Sequence, residues 1–453
     1  MSTVVQLLEA ELPDTELSTD ADVAQTYAAD QAGFCPAGRA AAVVRARSVH
    51  SVQTVMRIAS ATGTPVVPRG AGTGLSGGAN AVDGCIVLCL EKMDRILELD
   101  PSSRLARVEP GVLNGSLDRA ARAYGLMYAP DPASRDISTI GGNVATNAGG
   151  ACCLKYGVTR DHIARLVAVL ADGSLIRTGS DTLKNVAGLD LTSLLVGSEG
   201  TLAVVVEVCA RLMPARPACG TMVAQFADLA AAGRAVVELA GPRNLSKLEI
   251  MDRTTVRAVE AIANMDLDTS AAALLLAQAD TVDAPAIMAA SEATCERLGA
   301  TFVATTLDET EGELFMRARA MALPALEKQG HCLLDDVAVT IPRVPDLLEL
   351  CAAIAERHRV TVGTFGHAGD GNLHPTIVYD AHDPAQAAAA LAAFDDIIAG
   401  TLKLGGSVTG EHGVGMLKRP HLARMLGERE LALMRGIKGV FDPRGILNPG
   451  KGY

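Results

Sequence analysis

Two histidines lie seven residues apart in the glycine-rich segment Gly366-His-Ala-Gly-Asp-Gly-Asn-Leu-His374. On a straight strand, His367 and His374 would point to opposite faces, because side chains alternate with a period of two. The Gly-Asp-Gly sequence favours a turn over Ala368–Gly371, and such a turn would bring the two imidazoles together. Two neighbouring imidazoles suit a divalent transition metal. The spacing therefore predicts a metal site on this segment.

A carboxylate and a third histidine stand side by side in Gly410-Glu-His-Gly413. Glu411 offers a further metal ligand, and His412 offers a general base, because an imidazole titrates near neutral pH. Neighbouring residues on an extended segment point in opposite directions, which would separate these two roles. The residues alone leave one alternative open, in which the histidines only form hydrogen bonds within turns.

Glycine-rich segments form a second chemical signal. Pro68–Gly78 and Asp131–Gly150 are both rich in glycine and small polar residues, and Gly197-Ser-Glu-Gly200 adds a third turn. Without Cβ atoms, such loops bring backbone N–H groups close to an anion. One loop can bind a phosphate, and several together can line a long dinucleotide.

A nicotinamide-binding Rossmann fold is not favoured, although Gly72, Gly74 and Gly77 match the pattern G-x-G-x-x-G. A Rossmann loop follows a strand and opens a helix. Here the loop runs through Ala79–Gly84 into another apolar, strand-like segment, Cys85–Leu90.

Composition narrows the class of protein. The chain has 453 residues, of which 49% are hydrophobic and 20% charged, with a net charge of −12 and no Trp. This predicts a globular chain of two to three domains and argues against nucleic acid as a partner. The N-terminus lacks the features of a signal peptide, and no apolar run reaches the ~18 residues of a membrane span. We expect a cytoplasmic protein that meets membranes only through partners.

The elements that must hold these motifs fall into three stretches. Residues 41–215 alternate short strands, short helices and glycine turns, whereas residues 218–404 contain longer Ala/Leu-rich helices between strands. The second pattern predicts an α+β sandwich. Glycine density returns after residue 405. The predicted domains are therefore 1–215, 216–404 and 405–453.

Together with Lys155-Tyr-Gly-Val158 and Asn448-Pro-Gly450, these motifs resemble a known family. It is that of the FAD-linked 2-hydroxy-acid dehydrogenases, within the vanillyl-alcohol-oxidase/PCMH flavoprotein superfamily. Members include the FAD subunit of glycolate oxidase, D-lactate dehydrogenase and D-2-hydroxyglutarate dehydrogenase. The resemblance spans about residue 35 to Lys451. It implies an α+β fold with a PCMH-type FAD-binding domain, a ferredoxin-like substrate or cap domain, and a C-terminal segment that returns to the flavin.

The resemblance also implies which residues hold FAD. Some covalent flavoproteins of the superfamily carry His where this chain has Thr73, so we expect noncovalent FAD. The cofactor-binding residues expected from the motifs are Pro68, Arg69, Gly70, Ala71, Gly72, Thr73, Gly74, Ser76, Gly77, Gly78, Pro130, Asp131, Pro132, Ser134, Ile140, Gly141, Gly142, Asn143, Ala145, Thr146, Asn147, Gly149, Gly150, Gly157, Glu199, Gly200 and Asn448.

For the substrate side, the resemblance implies that His367, His374 and Glu411 bind a divalent metal, Zn or Mn, and that His412 is the catalytic base. An arginine of the segment Leu314–Pro324 is expected to hold the substrate carboxylate. Arg319 fits the spacing better than Arg317. Asn372 and His367 are expected to contact the substrate.

The implied activity is oxidation of a small D-2-hydroxy acid, D-lactate or glycolate, to the 2-oxo acid, with the hydride passing to flavin N5. D-2-hydroxyglutarate is an alternative substrate. Electrons would leave to a quinone, a cytochrome, an electron-transfer flavoprotein or an Fe–S subunit, and the chain would act as a homodimer or a complex subunit. Two rival functions remain open. A metal-dependent hydrolase would leave the glycine loops without a task, and a flavin-binding scaffold subunit active only in a larger redox complex would leave the histidines without one.

Overall fold

The structure, a computed structural model, describes residues 3–241 and 245–453. Up to residue 215, its helices and strands are short. In chain order they are α1 (Thr3–Glu11), β1 (Leu17–Ser18), α2 (Ala21–Thr26), β2 (Ala42–Arg45), α3 (Val49–Thr62), β3 (Val66–Arg69), β4 (Ile86–Cys89), β5 (Ile96–Asp100), β6 (Leu105–Val108), α4 (Asn114–Arg122), β7 (Leu126–Met127), α5 (Ile140–Thr146), α6 (Cys153–Tyr156), β8 (Ile163–Val169), β9 (Leu175–Gly179), α7 (Leu191–Leu195), β10 (Val204–Arg211) and β11 (Met213–Pro214).

The remaining elements include longer helices. They are β12 (Gly220–Phe226), α8 (Leu229–Ala240), β13 (Lys247–Asp252), α9 (Arg253–Ala263), β14 (Ala273–Ala279), α10 (Ala284–Arg297), β15 (Ala300–Thr306), α11 (Glu309–Ala320), α12 (Ala322–Glu327), β16 (His331–Leu334), β17 (Val337–Ala338), α13 (Val344–His358), β18 (Thr361–His367), β19 (Asn372–Tyr379), α14 (Pro384–Lys403), α15 (Arg419–Leu426) and α16 (Glu428–Phe441). Short 3₁₀ turns cover Thr159–His162 and Ile341–Arg343.

The chain divides into two units. The first contains Met1–Gly149, Val158–Ala215 and Glu411–Tyr453, and the second contains Gly150–Gly157 and Arg216–Gly410. Residues 150–157 and 405–410 therefore group with the second unit, which differs from the stretches drawn from composition. The functional domain boundaries stay a prediction.

The first unit is built on two larger sheets and a two-stranded sheet in which β7 pairs with β11. One has the order β1-β2-β4-β3, with β2, β4 and β3 parallel, and it shares an apolar core with α1 and α3. The other is antiparallel, in the order β5-β6-β10-β8-β9, and packs against α4, α5 and α7. No helix lies between β3 and β4, a stretch that is fully described, so the departure from a Rossmann loop is confirmed.

The second unit is one antiparallel sheet in the order β15-β12-β14-β13-β18-β19-β16, with β17 added on β19. Helices α9, α11 and α12 share a core with β12, β13, β14 and β18. Helix α14 is long and apolar enough to cross a membrane by length and composition alone. Its residues Ala390, Phe394 and Ile397 are buried, and it packs against α13 and β19, as a core helix does.

Candidate functional site

A long cleft in the first unit collects the glycine-rich segments. Its walls come from the loop after β3, from the segment around α5 and from the turn before β10. Its empty volume, counted to the open mouth, is about 1380 Å³. A cleft lined this heavily by glycine backbone allows N–H groups from three separate segments to approach an extended, phosphate-bearing ligand.

Most residues predicted to hold the cofactor line this cleft. They are Pro68, Arg69, Gly70, Ala71, Gly72, Thr73, Gly74, Ser76, Gly78, Pro132, Ser134, Gly141, Gly142, Asn143, Ala145, Thr146, Gly149, Glu199 and Gly200. Six others in the first unit are not part of its lining, namely Gly77, Pro130, Asp131, Ile140, Asn147 and Asn448. Gly150 and Gly157 belong to the second unit.

Several of these non-lining residues shape the walls from behind. Ile140 is fully buried in the core under the second sheet. The Pro130 carbonyl accepts a hydrogen bond from Asn114 Nδ2 at 3.2 Å. Gly77 has a φ of 76°, and a Cβ there would lie 2.8 Å from Cys35 Sγ. In the sequence, these residues were predicted to hold the cofactor because they stand next to residues that line the cleft.

The Glu411–His412 segment also lines the cleft, and two predicted cofactor residues hold it. Ser76 Oγ donates to the His412 carbonyl at 3.1 Å. The Glu199 carboxylate accepts the N–H groups of Val414 at 2.8 Å and Gly415 at 2.7 Å. Burial raises the pKa of Glu199, and these two backbone bonds oppose the rise. The first and third glycine motifs thus position the candidate base.

The side chains of Glu411 and His412 do not point apart as expected for an extended segment. Both line the cleft, and His412 Nε2 lies 3.8 Å from Glu411 Oε1. The segment bends here instead of running straight, and Gly413 has a φ of 85°. The Glu411 carboxylate and the His412 imidazole therefore lie close together in the wall of the cleft.

The C-terminal residues tie the loops together. Asn448 Nδ2 donates to the carbonyls of Gly78 at 2.9 Å and Glu199 at 2.7 Å. Lys451 Nζ donates to the Asn80 carbonyl at 2.6 Å and to Asn448 Oδ1 at 2.9 Å. Burial lowers the pKa of Lys451 to about 8. Asn448 thus links two glycine motifs and does not line the cleft.

In the second unit, the two histidines converge across a hairpin. β18 ends at His367, a turn covers Ala368–Gly371, and β19 begins at Asn372. His367 pairs with Asn372 and Phe365 pairs with His374, so the imidazoles are diagonal neighbours on one face. Their ring centroids are 5.2 Å apart. The predicted turn and the predicted convergence are both present.

A buried carboxylate that the sequence analysis missed lies between His367 and Arg319. Glu249 Oε1 accepts a hydrogen bond from His367 Nδ1 at 2.8 Å, and Glu249 Oε2 lies 2.7 Å from Arg319 Nε. Burial alone would raise the pKa of Glu249, but its interactions with His367 and Arg319 outweigh burial, and the pKa is lowered. Arg319 Cζ also lies 4.7 Å from the centroid of the Phe365 ring, whereas Arg317 is exposed.

A second missed carboxylate, Asp336, is fully buried. Its Oδ1 accepts from Asn372 Nδ2 at 2.7 Å and lies 3.7 Å from His374 Nδ1, beyond hydrogen-bond length. Its Oδ2 accepts from Thr409 Oγ1 at 2.7 Å and from the Gly410 N–H at 3.0 Å. Asn372 also donates to the Val337 carbonyl at 3.0 Å, so both of its amide hydrogens serve the fold. The side-chain amide of Asn372 therefore has no further hydrogen to donate to a ligand.

The segment after the second glycine loop is anchored on Asp280. Lys155 Nζ lies 2.5 Å from Asp280 Oδ1, and Tyr156 Oη donates to Oδ2 at 2.8 Å. Arg216 Nε is 3.5 Å from the same carboxylate. The Lys-Tyr pair of the motif thus acts within the second unit.

The missed carboxylates carried one sequence signal. Glu249 and Asp336 each stand in a short run that is otherwise mostly apolar, Leu245–Met251 and Cys332–Val339. A charge at a buried strand position is retained only with a partner. Which partner it meets depends on tertiary pairing.

The residues predicted to bind a metal suit a cation in part by their own chemistry. His367 Nδ1 is bonded to Glu249, so a cation would be bound through Nε2, the arrangement found around metal-bound histidines. The cleft of the first unit suits FAD by its glycine walls, which let backbone N–H groups approach the cofactor's phosphates.

Comparison with known proteins supports the fold described above and FAD as the cofactor. Residues 40–179 match a family described as FAD binding domain, and residues 217–452 match FAD linked oxidases, C-terminal domain. The glycolate oxidase subunit GlcD of Bacillus subtilis is 40% identical over 90% of this chain and 88% of its own length. A D-lactate dehydrogenase of Archaeoglobus fulgidus is 35% identical over 90% of each chain.

Further comparisons extend this picture. A D-2-hydroxyglutarate dehydrogenase of Xanthomonas citri pv. viticola is 35% identical over 89% of this chain and 87% of its own. The solved structure of p-cresol methylhydroxylase with bound substrate superposes with a TM-score of 0.82 over 99% of this chain and 96% of that one, at 20% identity. That likeness confirms the predicted mixed fold with its PCMH-type domain. The chain belongs to the FAD-linked oxidases.

Proposed function

We propose that this chain oxidises a small D-2-hydroxy acid, D-lactate or glycolate, to the corresponding 2-oxo acid. The observation that carries the proposal is the glycine-lined cleft of the first unit, which has His412 in its wall. The names of the relatives support the substrate class, since they are a glycolate oxidase subunit, D-lactate dehydrogenases and a D-2-hydroxyglutarate dehydrogenase. D-2-hydroxyglutarate is therefore the alternative substrate.

FAD, when bound, supplies the acceptor for the two electrons and the Cα hydrogen. The loop Pro68–Gly78 and the segment Asp131–Gly150 would hold it along the cleft. Thr73 cannot form a histidyl link, so we expect the cofactor to be noncovalent. Gly74 and Gly142 leave the wall free of Cβ atoms, which allows close backbone approach.

A divalent metal, Zn or Mn, would be held by His367, His374 and Glu411, and its charge would lower the pKa of the substrate hydroxyl. The first two ligands lie on one hairpin of the second unit. The addition of Glu411, from the first unit, is part of the proposal. Glu249 would fix His367 with Nε2 directed to the cation.

In the proposed reaction His412 takes the hydroxyl proton at its Nε2. Arg319 orients the substrate carboxylate through its terminal nitrogens, because its Nε is already held by Glu249. Asn372 is a proposed further substrate contact through its amide oxygen, because both amide hydrogens are bound within the fold. His367 would contact the substrate through the metal that its Nε2 holds. Residues of the cleft wall exclude water from the reacting carbon.

The experiment is anaerobic reduction of the flavin by candidate substrates, followed by loss of its visible absorbance. D-lactate, glycolate and D-2-hydroxyglutarate are compared with L-lactate. We expect bleaching by D-2-hydroxy acids and none by L-lactate. Faster bleaching by L-lactate than by D-lactate would reject the stereochemical proposal, and a colourless purified protein would reject the flavin itself.

The electron acceptor is a separate part of the proposal. A quinone, a cytochrome, an electron-transfer flavoprotein or an Fe–S subunit would accept the electrons, and the relative named as a subunit supports action within a complex. The isolated chain should still reduce an artificial dye with substrate. If it does so only after a partner is added, the scaffold alternative is favoured. A cytoplasmic location stays a prediction.

A further inference from the structure

We propose that Glu249 is a positioning residue that orients a metal ligand and the substrate-binding arginine at the same time. One carboxylate does both tasks, with one oxygen directed to His367 and the other to Arg319. The inference rests on the proposed function, in which His367 holds the cation and Arg319 holds the substrate carboxylate.

The arm to His367 follows from strand register. β13 pairs antiparallel with β18 through Ile250 with Gly366 and Met251 with Phe365. The next pair in that register is Glu249 with His367, so their side chains stand side by side on one face. His367 Nδ1 bonds to Glu249 Oε1 at 2.8 Å. This bond selects the tautomer with the proton on Nδ1 and the lone pair on Nε2, which is the form that binds a cation through Nε2.

The arm to Arg319 comes from helix α11. Arg319 Nε lies 2.7 Å from Glu249 Oε2, and Arg319 Cζ stacks over the Phe365 ring at 4.7 Å. The ion pair and the ring contact restrict where the guanidinium can lie, although the geometry of the Nε–Oε2 contact is not that of a hydrogen bond. Within residues 3–241 and 245–453, no hydrogen bond or ion pair involves its two terminal nitrogens. They remain available for a planar carboxylate, which a guanidinium can bind with two parallel bonds.

Burial explains why the arrangement is stiff. The Glu249 side chain is 1% exposed and that of Arg319 is 14% exposed. A buried carboxylate is tolerated only with partners, and loss of one partner leaves an uncompensated charge. Glu249 therefore links the two binding functions, because a shift of its carboxyl group moves both His367 and Arg319.

Two substitutions separate the two arms. Glu249→Gln keeps the shape and one acceptor oxygen. That oxygen can still accept from His367 Nδ1, but the amide NH₂ would then face the Nε–H of Arg319. Glu249→Ala removes both arms. A matched control is Glu109→Gln, because Glu109 is also a buried carboxylate paired with an arginine, Arg95, at 2.7 Å, and lies in the first unit.

The measurements are made on the full-length, FAD-loaded protein. Affinity for Zn²⁺ and for Mn²⁺ is measured by competition with a chelator, followed by elemental analysis, and KM and kcat are measured with the hydroxy acid found for the wild type. We expect Glu249→Ala to weaken metal binding about 10–100-fold. Glu249→Gln should weaken it less, while both raise KM for the hydroxy acid by about tenfold or more. Glu109→Gln should change neither quantity.

The outcomes distinguish this inference from the proposed function. If the wild type binds metal and oxidises the hydroxy acid, and Glu249→Ala retains both wild-type metal affinity and wild-type KM, the role of Glu249 is overturned and the function stands. Equal loss of metal in Glu249→Gln and Glu249→Ala, without any change in KM, would overturn the Arg319 arm. An active wild type without stoichiometric metal would overturn the metal proposal and the His367 arm together. Thermal unfolding of each variant identifies any that fail to fold, and Glu249→Asp then replaces Glu249→Ala.

Discussion

The carboxylate of Glu199 accepts a hydrogen bond from the backbone N–H of Val414 at 2.8 Å, although 215 residues separate them in the sequence. The adjacent N–H of Gly415 bonds to the other oxygen at 2.7 Å. Glu199 itself has a φ of 52°, in the left-handed region. Glu199 is therefore a strained residue whose carboxylate holds the backbone beside His412. We infer that it positions that histidine.

Glu199→Gln tests this placement. An amide keeps one acceptor but turns an NH₂ towards the second backbone N–H. We expect a loss of about 1–3 kcal/mol in the free energy of unfolding of the first unit. Flavin reduction by substrate should slow while FAD remains bound. Stopped-flow absorbance gives the rate, and Glu207→Gln, a partly buried carboxylate of the same unit, is the control that should leave it unchanged. Loss of FAD with normal reduction of the remainder would mean that Glu199 serves the cofactor instead.

Removal of the metal tests the histidine pair. EDTA should abolish activity and leave FAD bound, because the glycine walls that hold FAD contain none of the hairpin residues. Zn²⁺ or Mn²⁺ should restore activity. His367→Ala and His374→Ala should each lose metal by elemental analysis, whereas His412→Ala should retain metal and FAD and reduce flavin roughly 10²–10⁴-fold more slowly. Active protein without stoichiometric metal would refute the three-ligand assignment.

The choice between two arginines is tested by kinetics. Arg319→Ala should raise KM and lower kcat/KM by about 1.5–3 kcal/mol, the usual contribution of a charge-assisted hydrogen bond. Arg317→Ala is the control, because Arg317 is exposed on the same helix. The opposite ranking of the two variants would show that the carboxylate is held by Arg317.

Noncovalent FAD is tested by acid precipitation. The yellow colour should pass into the supernatant, because Thr73 offers no histidyl nitrogen. Gly74→Val should empty the cleft, because the added side chain blocks close backbone approach to the cofactor. The atoms within 4 Å of the new Cβ all belong to the Asp30 side chain, the nearest at 3.1 Å, so the fold should survive. Gly33→Val is the matched control, because no atom lies within 4 Å of a Cβ there. Colour that stays with the precipitate would show a covalent link.

The pH dependence of stability is expected to depend on Asp252. Burial raises its pKa to about 6, although it accepts the N–H groups of Thr255 and Thr364. The folded state therefore binds the proton more tightly than the unfolded state. The stabilisation is fully present below about pH 4 and is lost as pH rises through about 6, a change on the order of 3 kcal/mol.

Asp252→Asn should abolish this slope. Denaturant unfolding of the second unit at pH 4.5 and pH 7 compares the variant with the wild type, and the stability lost between the two pH values should be smaller in the variant. Asp346→Asn, at a carboxylate whose side chain is 44% exposed, is the control. An unchanged slope in Asp252→Asn would assign the titration to another group.

The sequence predicted the histidine hairpin for a physical reason. Seven residues is an odd spacing, and Gly-Asp-Gly between His367 and His374 demands a turn, so local chemistry alone brings the imidazoles together. The glycine loops were predictable in the same way, because glycine lacks a Cβ and so marks positions where the backbone can approach a ligand closely.

Glu249 was not predictable, because it meets His367 only through the pairing of β13 with β18, across 118 residues. The bend at Glu411 and His412 was mispredicted because an isolated tetrapeptide does not reveal the bonds from Ser76 and Glu199 that shape it. Asn448 carried a conspicuous motif, yet its amide joins two loops from behind the cleft wall. Residue types therefore predicted which side chains are candidates for the site, whereas long-range contacts determined where those side chains lie.

In the sequence, segments of the first unit stand both before and after the long segment Arg216–Gly410 of the second unit. Val66 donates its N–H to the Ile446 carbonyl and accepts the N–H of Asn448, and Lys451 donates to the Asn80 carbonyl. The ribosome therefore completes all of Arg216–Gly410 before these C-terminal partners of Val66 and Asn80 exist. Glu411 and His412 are the lining residues that come from this later stretch, so a nascent chain that ends before Arg216 has most of the cleft wall but lacks the candidate base.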